Sequence, residues 1–270
     1  MTGKSDPAPG GWLRPLLALA AGYAVVQAGP GLTGLGPVRR TLFPALAGQG
    51  RPGHVALTFD DGPDQVATPL FLGQLGSRGV RATFFLLGSQ VAMAPRLAAE
   101  IAGAGHEIGV HGFDHRYLPL RGPAATYDDL ARAVDVIAAR TGVVPWLFRP
   151  PYGVLSTPAL VAARRLGLTT VLWGSWGREW KPGSTPESVL GTLTAGPLDG
   201  ATVLLHDSGA MSPPGAWRAA LGALPLLLDE CDRRGLRPGP LGEHGPAWSG
   251  DRRAAGLDSG QTPTAPGGSP

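Results

Sequence analysis

From His54 onward the chain alternates short apolar runs with longer amphipathic stretches. Strands are expected at 54–59, 82–87 (ATFFLL), 106–110 (HEIGV), 145–149 (PWLFR), 169–173 (TTVLW) and 201–205 (ATVLL), with a weaker seventh near 235–239. Helices are expected between them. The clearest places Tyr127, Leu130, Val134 and Ile137 on one stripe, with Asp128, Asp129, Arg132 and Asp135 elsewhere on its surface. Ser156-Thr157-Pro158 and Ser184-Thr185-Pro186 each offer a capping hydroxyl followed by proline in the first turn. Gly79, Gly105, Gly142, Gly167 and Gly235 are placed to end helices. Pro225 lacks the amide that an interior helical position donates, so it must start or kink a helix. Serial β–α alternation implies a parallel sheet, open or closed into a barrel, with functional groups at the C-terminal ends of its strands.

The two ends read differently. No charged residue occurs from Pro15 to Val38, and the apolar centre Leu16–Ala28 follows Lys4 and Arg14. Val26-Gln27-Ala28 fits a small-residue cleavage site, which makes the segment a signal peptide. The uncharged span also approaches membrane-helix length, so an uncleaved anchor with membrane contact is the alternative. Gly29-Pro30-Gly31 and Gly34–Pro37 interrupt its second half, and Arg39-Arg40 blurs the positive-inside signal. The protein is therefore expected to be secreted or held at the cell envelope, and otherwise to be a cytoplasmic domain with an apolar first helix. Residues 1–48 read as this segment plus a linker, 49–245 as a single α/β domain, and 246–270 as a disordered Pro/Gly/Ser-rich tail.

Composition narrows the chemistry. Of 270 residues, 43% are hydrophobic, enough for a substantial core. The net charge of +3 comes without a Lys/Arg run, so nucleic-acid binding is not supported. That bias could suit an anionic envelope polymer, although a solvated surface accounts for it. Cys231 is the only cysteine, which excludes an intrachain disulfide and a cysteine-based zinc site; it reads as a small buried hydrophobe.

Five expected strands end in polar or aromatic groups. Val55–Pro63 (VALTFDDGP) delivers Asp60 and Asp61 to a strand end and then turns. The others lead into His111-Gly-Phe-Asp-His115, Arg149-Pro-Pro-Tyr-Gly153, Trp173–Trp180 (WGSWGREW) and His206-Asp207. Adjacent carboxylates repel, so one of them needs a cation or a proton beside it. Two imidazoles four residues apart plus one carboxylate form a catalytic-type zinc set with open positions. Taken singly, these are a solvated turn and a surface histidine pair. Their convergence on one rim favours an active site.

In this order T-F-D-D-G (58–62), H-x-x-x-H (111–115), R-P-P-Y-G (149–153) and L-x-H (204–206) resemble the polysaccharide deacetylases, the NodB-homology domain of carbohydrate esterase family 4. The resemblance spans about Val55–Leu241. It implies a deformed, TIM-like (β/α) barrel of about seven parallel strands and metal-dependent removal of N-acetyl groups from amino sugars of a polysaccharide, peptidoglycan or chitin-like. By position it implies Asp60 as general base and His206 as general acid. Asp61, His111 and His115 would hold one divalent ion, zinc foremost, with cobalt, nickel or iron able to occupy the same set. Arg149 would orient Asp60, the Tyr152 amide would hold the oxyanion, and Pro151, Leu204 and Trp180 would meet the substrate.

Departures from the pattern are informative. Where the family commonly has D-x-x-D-W, this chain has Trp176-x-x-Glu179-Trp180. Glu179 is expected to pair with His206 despite its extra methylene, while Trp176, in place of the first acid, reads either as a structural change or as an added aromatic surface for a sugar ring. Gly112 removes a hydroxyl that often braces the histidine loop, and Arg116 stands in place of a proline. Trp173 reads as core, His106 as structural, and His54 and His244 as surface. Asp114 and Asp207 lie near the site without being expected ligands. Arg116 and Arg178 read as solvated arginines that could touch an acidic substrate. No protein partner is implied. A catalytically silent carbohydrate-binding barrel and a hydrolase of a small non-sugar amide are the competing functions.

Overall fold

The structure, a computed structural model, describes residues 13–245; the expected tail at 246–270 lies outside the described residues. One parallel sheet contains β1 (His54–Asp60), β2 (Thr83–Leu86), β3 (Glu107–Val110), β4 (Leu147–Phe148), β5 (Thr169–Thr170), β6 (Ser175–Trp176), β7 (Thr202–His206) and β8 (Arg237–Gly239). Its order is β5-β4-β3-β2-β1-β7-β6, and β8 pairs with His54–Ala56 on the β2 edge of β1. Eight strands thus stand where about seven are expected. The addition is Ser175–Trp176, a rung opposite Val203 and Leu204 that is too short to show any periodicity.

Strand β1 is buried along its whole length, as a central parallel strand covered on both faces must be. Val55, Leu57 and Phe59 join the large apolar cluster formed with the surrounding helices. Ala56 packs with Phe85, Trp146, Leu147, Val171 and Leu241 inside the curl of the sheet. Because side chains alternate, Thr58 and Asp60 share the inward face with Ala56. The sheet is therefore a deformed (β/α) barrel whose inward face carries Thr58 and Asp60 toward the C-terminal end of β1.

Nine helices accompany it among the described residues: α1 (Leu13–Ala28), α2 (Gly36–Leu42), α3 (Ala67–Ser77), α4 (Gly88–Met93), α5 (Pro95–Gly103), α6 (Pro123–Thr141), α7 (Thr157–Arg165), α8 (Pro186–Thr194) and α9 (Trp217–Arg233). Ser156 and Thr185 cap α7 and α8 through their hydroxyls. The buried stripe of α6 is Thr126, Leu130, Ala133 and Ile137, so Tyr127 is exposed rather than part of it. Thr126 tolerates burial because its hydroxyl donates to the Gly122 carbonyl at 2.9 Å. Pro225 does not start α9, which begins eight residues earlier and continues through it.

Residues 27–48 are not a free linker. Gln27 donates to the carbonyls of Pro119 and Arg121, and buried Arg39 donates to those of Thr33 and Trp173 at 3.0 and 2.9 Å. β5 and β6 form the two ends of the strand order, and residues 46–48 pack where they diverge. There the Leu172 amide donates to the Leu46 carbonyl, and the Thr202 hydroxyl to that of Gly48. Leu16, Leu17, Leu19, Tyr23, Val25 and Val26 of α1 stay exposed.

His54 and His244, expected at the surface, are buried with their Nδ1 atoms 2.8 Å apart. His244 Nε2 lies 3.0 and 3.1 Å from the carbonyls of Gly48 and Gly200. Carbonyls only accept, so Nε2 carries the proton and Nδ1 of His244 accepts from His54. Both rings are neutral, and burial is the main force pressing each pKa from 6.5 to about 4. The pair ties the start of β1 to the segment before β7 and to the turn that follows β8.

The unfolded chain takes up protons that these rings refuse, so their stabilisation is complete above about pH 6.5 and is lost as pH falls toward 4. His244→Asn is expected to lower the melting temperature at pH 7 and to flatten its decline between pH 6.5 and pH 4. Wild-type and variant melting curves that fall in parallel over this range would contradict the assignment.

Candidate active site

The inward face of β1 carries Thr58 and Asp60 to the buried cation Arg149. Arg149 follows β4 directly and is completely buried. Its Nη1 donates to Asp60 Oδ1 and to Thr58 Oγ1, both at 2.7 Å, and its Nη2 donates to the Leu172 carbonyl at 2.8 Å. The Thr58 hydroxyl donates its own hydrogen bond to the Val203 carbonyl. Below the guanidinium lies the face of Phe85, 4.1 Å from ring centroid to Cζ. Asp60 is thereby fixed as one end of a charge-assisted pair.

The next residue faces a different neighbourhood. Asp61 adopts φ 74°, and at Gly62 any side chain would run into the Asp207 carboxylate, 2.7 Å from where a Cβ would sit. The chain therefore turns away and leaves the Asp61 carboxylate beside two imidazoles. Asp61 Oδ1 lies 3.3 Å from His111 Nε2 and 3.4 Å from His115 Nε2, is buried, and accepts no hydrogen bond. The three donor atoms lie within 4.8 Å of one another. His111 Nδ1 is 2.8 Å from the Arg149 carbonyl, so it must be the protonated nitrogen, and Nε2 presents its lone pair to the cluster. Burial first, and then His111, press His115 down to about pKa 4. Burial would raise the Asp61 carboxyl, but the charged His206 beside it helps to hold it below the usual carboxylate range. One anionic oxygen and two neutral imidazoles fit a divalent cation, and the unpartnered Oδ1 is the atom such an ion would satisfy.

His206 ends β7 directly opposite Asp60 in the register. Its amide and its Nδ1 both bond to Glu179 Oε1, at 2.6 and 2.9 Å. Burial opposes charge on this ring, but Glu179, Asp61 and Asp60 prevail and push its pKa up to about 10. Nδ1 is committed to Glu179, leaving Nε2 to face the cluster, 3.9 Å from Asp61 Oδ2.

A cavity of about 320 Å³ opens over these groups. Asp60, Asp61, His111, His115, Tyr152, Trp180, Leu204 and His206 all line it. Arg149 and Glu179 lie behind the wall, each touching a residue that does line it. Pro151 is the exception: it is buried against Gly112 of the histidine loop and does not line the cavity. Trp173 packs in the core as expected and also contributes its edge to the cavity, together with Trp176, Met211 and Ser212. Asp207 is buried behind Gly62 and accepts from the Thr68 hydroxyl. His106 accepts from the Ala82 amide, a structural role.

Asp129 has a part that sequence reasoning missed. It sits on α6 but points at the histidine loop, where its Oδ2 accepts from the Phe113 amide at 2.9 Å and its Oδ1 binds Arg121. Gly112 has φ 86°, and a Cβ there would lie 3.2 Å from Asp129 Oδ2. The brace that a hydroxyl often supplies within this loop thus comes from a neighbouring helix. The only sequence hint is an acid on the helix that follows the histidines.

The family described as polysaccharide deacetylase matches residues 47–171. The peptidoglycan-N-acetylglucosamine deacetylase PgdA of Listeria monocytogenes is 36% identical over 157 residues, 57% of this chain; the chain spans only 32% of that protein's length. The chitooligosaccharide deacetylase of a Bradyrhizobium species is 34% identical over 198 residues, covering 69% of this chain and 88% of the relative. Among solved structures, the Bc1960 peptidoglycan N-acetylglucosamine deacetylase bound to 4-naphthalen-1-yl-N-oxidanyl-benzamide superposes with a TM-score of 0.68 at 28% identity, covering 73% of this chain and 90% of that one.

Asp129→Ala releases the Phe113 amide and loosens the loop between the two imidazoles. Calorimetric titration with Zn²⁺ is expected to show an affinity loss of about ten- to a hundredfold with the cooperative unfolding transition retained. Unchanged affinity would show that the brace is irrelevant to the cluster.

Proposed function

The chain belongs to the polysaccharide deacetylase family, and on that premise we propose that it hydrolyses N-acetyl groups from the amino sugars of a polysaccharide. One observation carries this reading. The cavity presents a carboxylate held by Arg149, its other oxygen 3.8 Å from His111 Nε2, and an imidazolium held by Glu179, 3.9 Å from Asp61 Oδ2. Amide hydrolysis needs both, because water must lose a proton while the departing amine gains one.

An ion held by Asp61, His111 and His115 would supply Lewis acidity toward the acetamide carbonyl and the attacking water. Asp60, fixed through Oδ1 by Arg149, keeps Oδ2 toward the cavity and takes the proton from that water. The Tyr152 amide, set at the rim by a φ of 59°, donates to the developing oxyanion. His206 then gives its Nε2 proton to the sugar nitrogen as the carbon–nitrogen bond breaks, yielding acetate and a free amine. Leu204, Trp180 and the ring of Tyr152 wall the space for the acetyl methyl. The stretch Leu16–Gly34 is long and apolar enough, by length and composition, to cross a membrane, which fits a signal or an anchor at the envelope. With residues 27–34 docked on the barrel, the exposed part of α1 suits membrane contact.

Acetate release from N-acetylglucosamine oligomers and from peptidoglycan tests the reading. Release is expected from at least one, to be abolished by a chelator and restored by divalent metal. Sugar binding without any release would leave a carbohydrate-binding barrel.

A second outcome follows from His206. Its proton is the active one, so its raised pKa extends activity to higher pH. Glu179→Gln removes the main charge sustaining it, and the alkaline limb of kcat is expected to move down by about one to two pH units. An alkaline limb that stays in place would exclude His206 as the acid.

A further inference from the structure

Trp173 and Trp176, whose ring centroids are 5.3 Å apart, form one wall of the catalytic cavity and also one wall of a second cavity of about 500 Å³. Three guanidiniums line this second space: those of Arg39, Arg40 and Arg178. None of its lining residues is an acid, and none of the three arginines forms an ion pair among the described residues. Arg39 is buried, bonded only to the neutral carbonyls of Thr33 and Trp173. Its Nε and the Trp176 Nε1 are buried donors with no acceptor. Burial, reinforced by Arg149 and Arg40, depresses the Arg39 pKa to about 10, the mark of a cation without a counter-charge. Arg178, in the left-handed region at φ 54°, carries its guanidinium 5.6 Å from the centre of the Trp176 ring.

Unneutralised cations around unmet donors are what an anion would satisfy. The sequence shows why the space is free of internal acid. Trp176 occupies the place where the resemblance puts a carboxylate, and a carboxylate there would compensate these arginines from within.

We propose that this second cavity is a subsite for an anionic group, a carboxylate or a phosphate, carried by the polymer beside the sugar whose acetamide enters the catalytic cavity. The substrate is then an acidic N-acetylated polysaccharide, discriminated from a neutral one by Arg40 and Arg178. Arg39 holds the floor, and the paired tryptophan rings support the sugar that bridges the two spaces. This assignment rests on the deacetylase reading for its place on the substrate, but not for the anion itself.

Binding separates the two. Metal-loaded protein carrying Asp60→Asn, which blocks turnover, is titrated calorimetrically at low salt with N-acetylglucosamine oligomers of matched length. These are neutral, carboxylate-bearing or phosphate-bearing. At least one anionic oligomer is expected to bind about tenfold more tightly than the neutral one. Adding Arg40→Gln and Arg178→Gln, both at exposed positions, is expected to remove that preference and leave neutral binding unchanged. Which anionic arm responds identifies the group. In the Asp60-containing protein the same two substitutions raise KM for the anionic substrate alone. Equal affinity for all three oligomers, or equal weakening of neutral and anionic binding in the double variant, overturns the subsite. Anion preference together with no acetate release from any oligomer by the Asp60-containing protein retains the subsite and instead contradicts the deacetylase reading.

Discussion

A guanidinium at the centre of a barrel is the constraint on which the rest depends. Desolvating Arg149 costs several kcal/mol, which its partners must offset. Asp60, Thr58 and the Leu172 carbonyl satisfy its two terminal nitrogens and the face of Phe85 lies beneath it, while its Nε is left without an acceptor. Its main chain works as well, since the Arg149 carbonyl accepts from His111 Nδ1 and so fixes which imidazole nitrogen faces Asp61. One residue thus orients the base through its side chain and a cation ligand through its backbone. The two aspartates are neighbours in sequence, but Arg149 divides their duties.

The loops around this centre are held in conformations that side chains ordinarily avoid. Among the described residues, the non-glycine positions with positive φ are Asp61, His115, Tyr152 and Arg178. Three line the catalytic cavity and the fourth lines the space next to it. Backbone strain of this kind persists only where packing over-determines it. Here the packing is supplied by Asp207 beneath Gly62, Asp129 beneath the histidine loop and Glu179 beneath His206. Buried acids behind the rim hold the groups at the rim.

Much of this was legible in the chain because it is written locally. A strand that ends in two acids, two histidines four apart and an arginine after an apolar pair are short patterns, and parallel topology carries each to the same edge. What escaped notice depends on contacts between distant residues. Asp129 looks like a solvated helical acid until the loop before α6 folds over it. His54 and His244, 190 residues apart, look polar and exposed until each satisfies the other. Ser175–Trp176 becomes a strand only because β7 offers it a partner, and residues 27–48 become part of the barrel only because β5 and β6 diverge. Pro151 was carried along by its motif, yet its ring packs inward beneath the site.

The central claim, that adjacent carboxylates serve different partners, is tested most directly by isosteric substitution read through bound metal. Asp60→Asn and Asp61→Asn each remove one charge without changing shape. Zn²⁺ affinity, measured side by side in the two proteins, is expected to be close to wild type in Asp60→Asn and at least about a hundredfold weaker in Asp61→Asn. Equal losses, or the reverse order, would mean that the two acids share one cation and that Arg149 does not separate them.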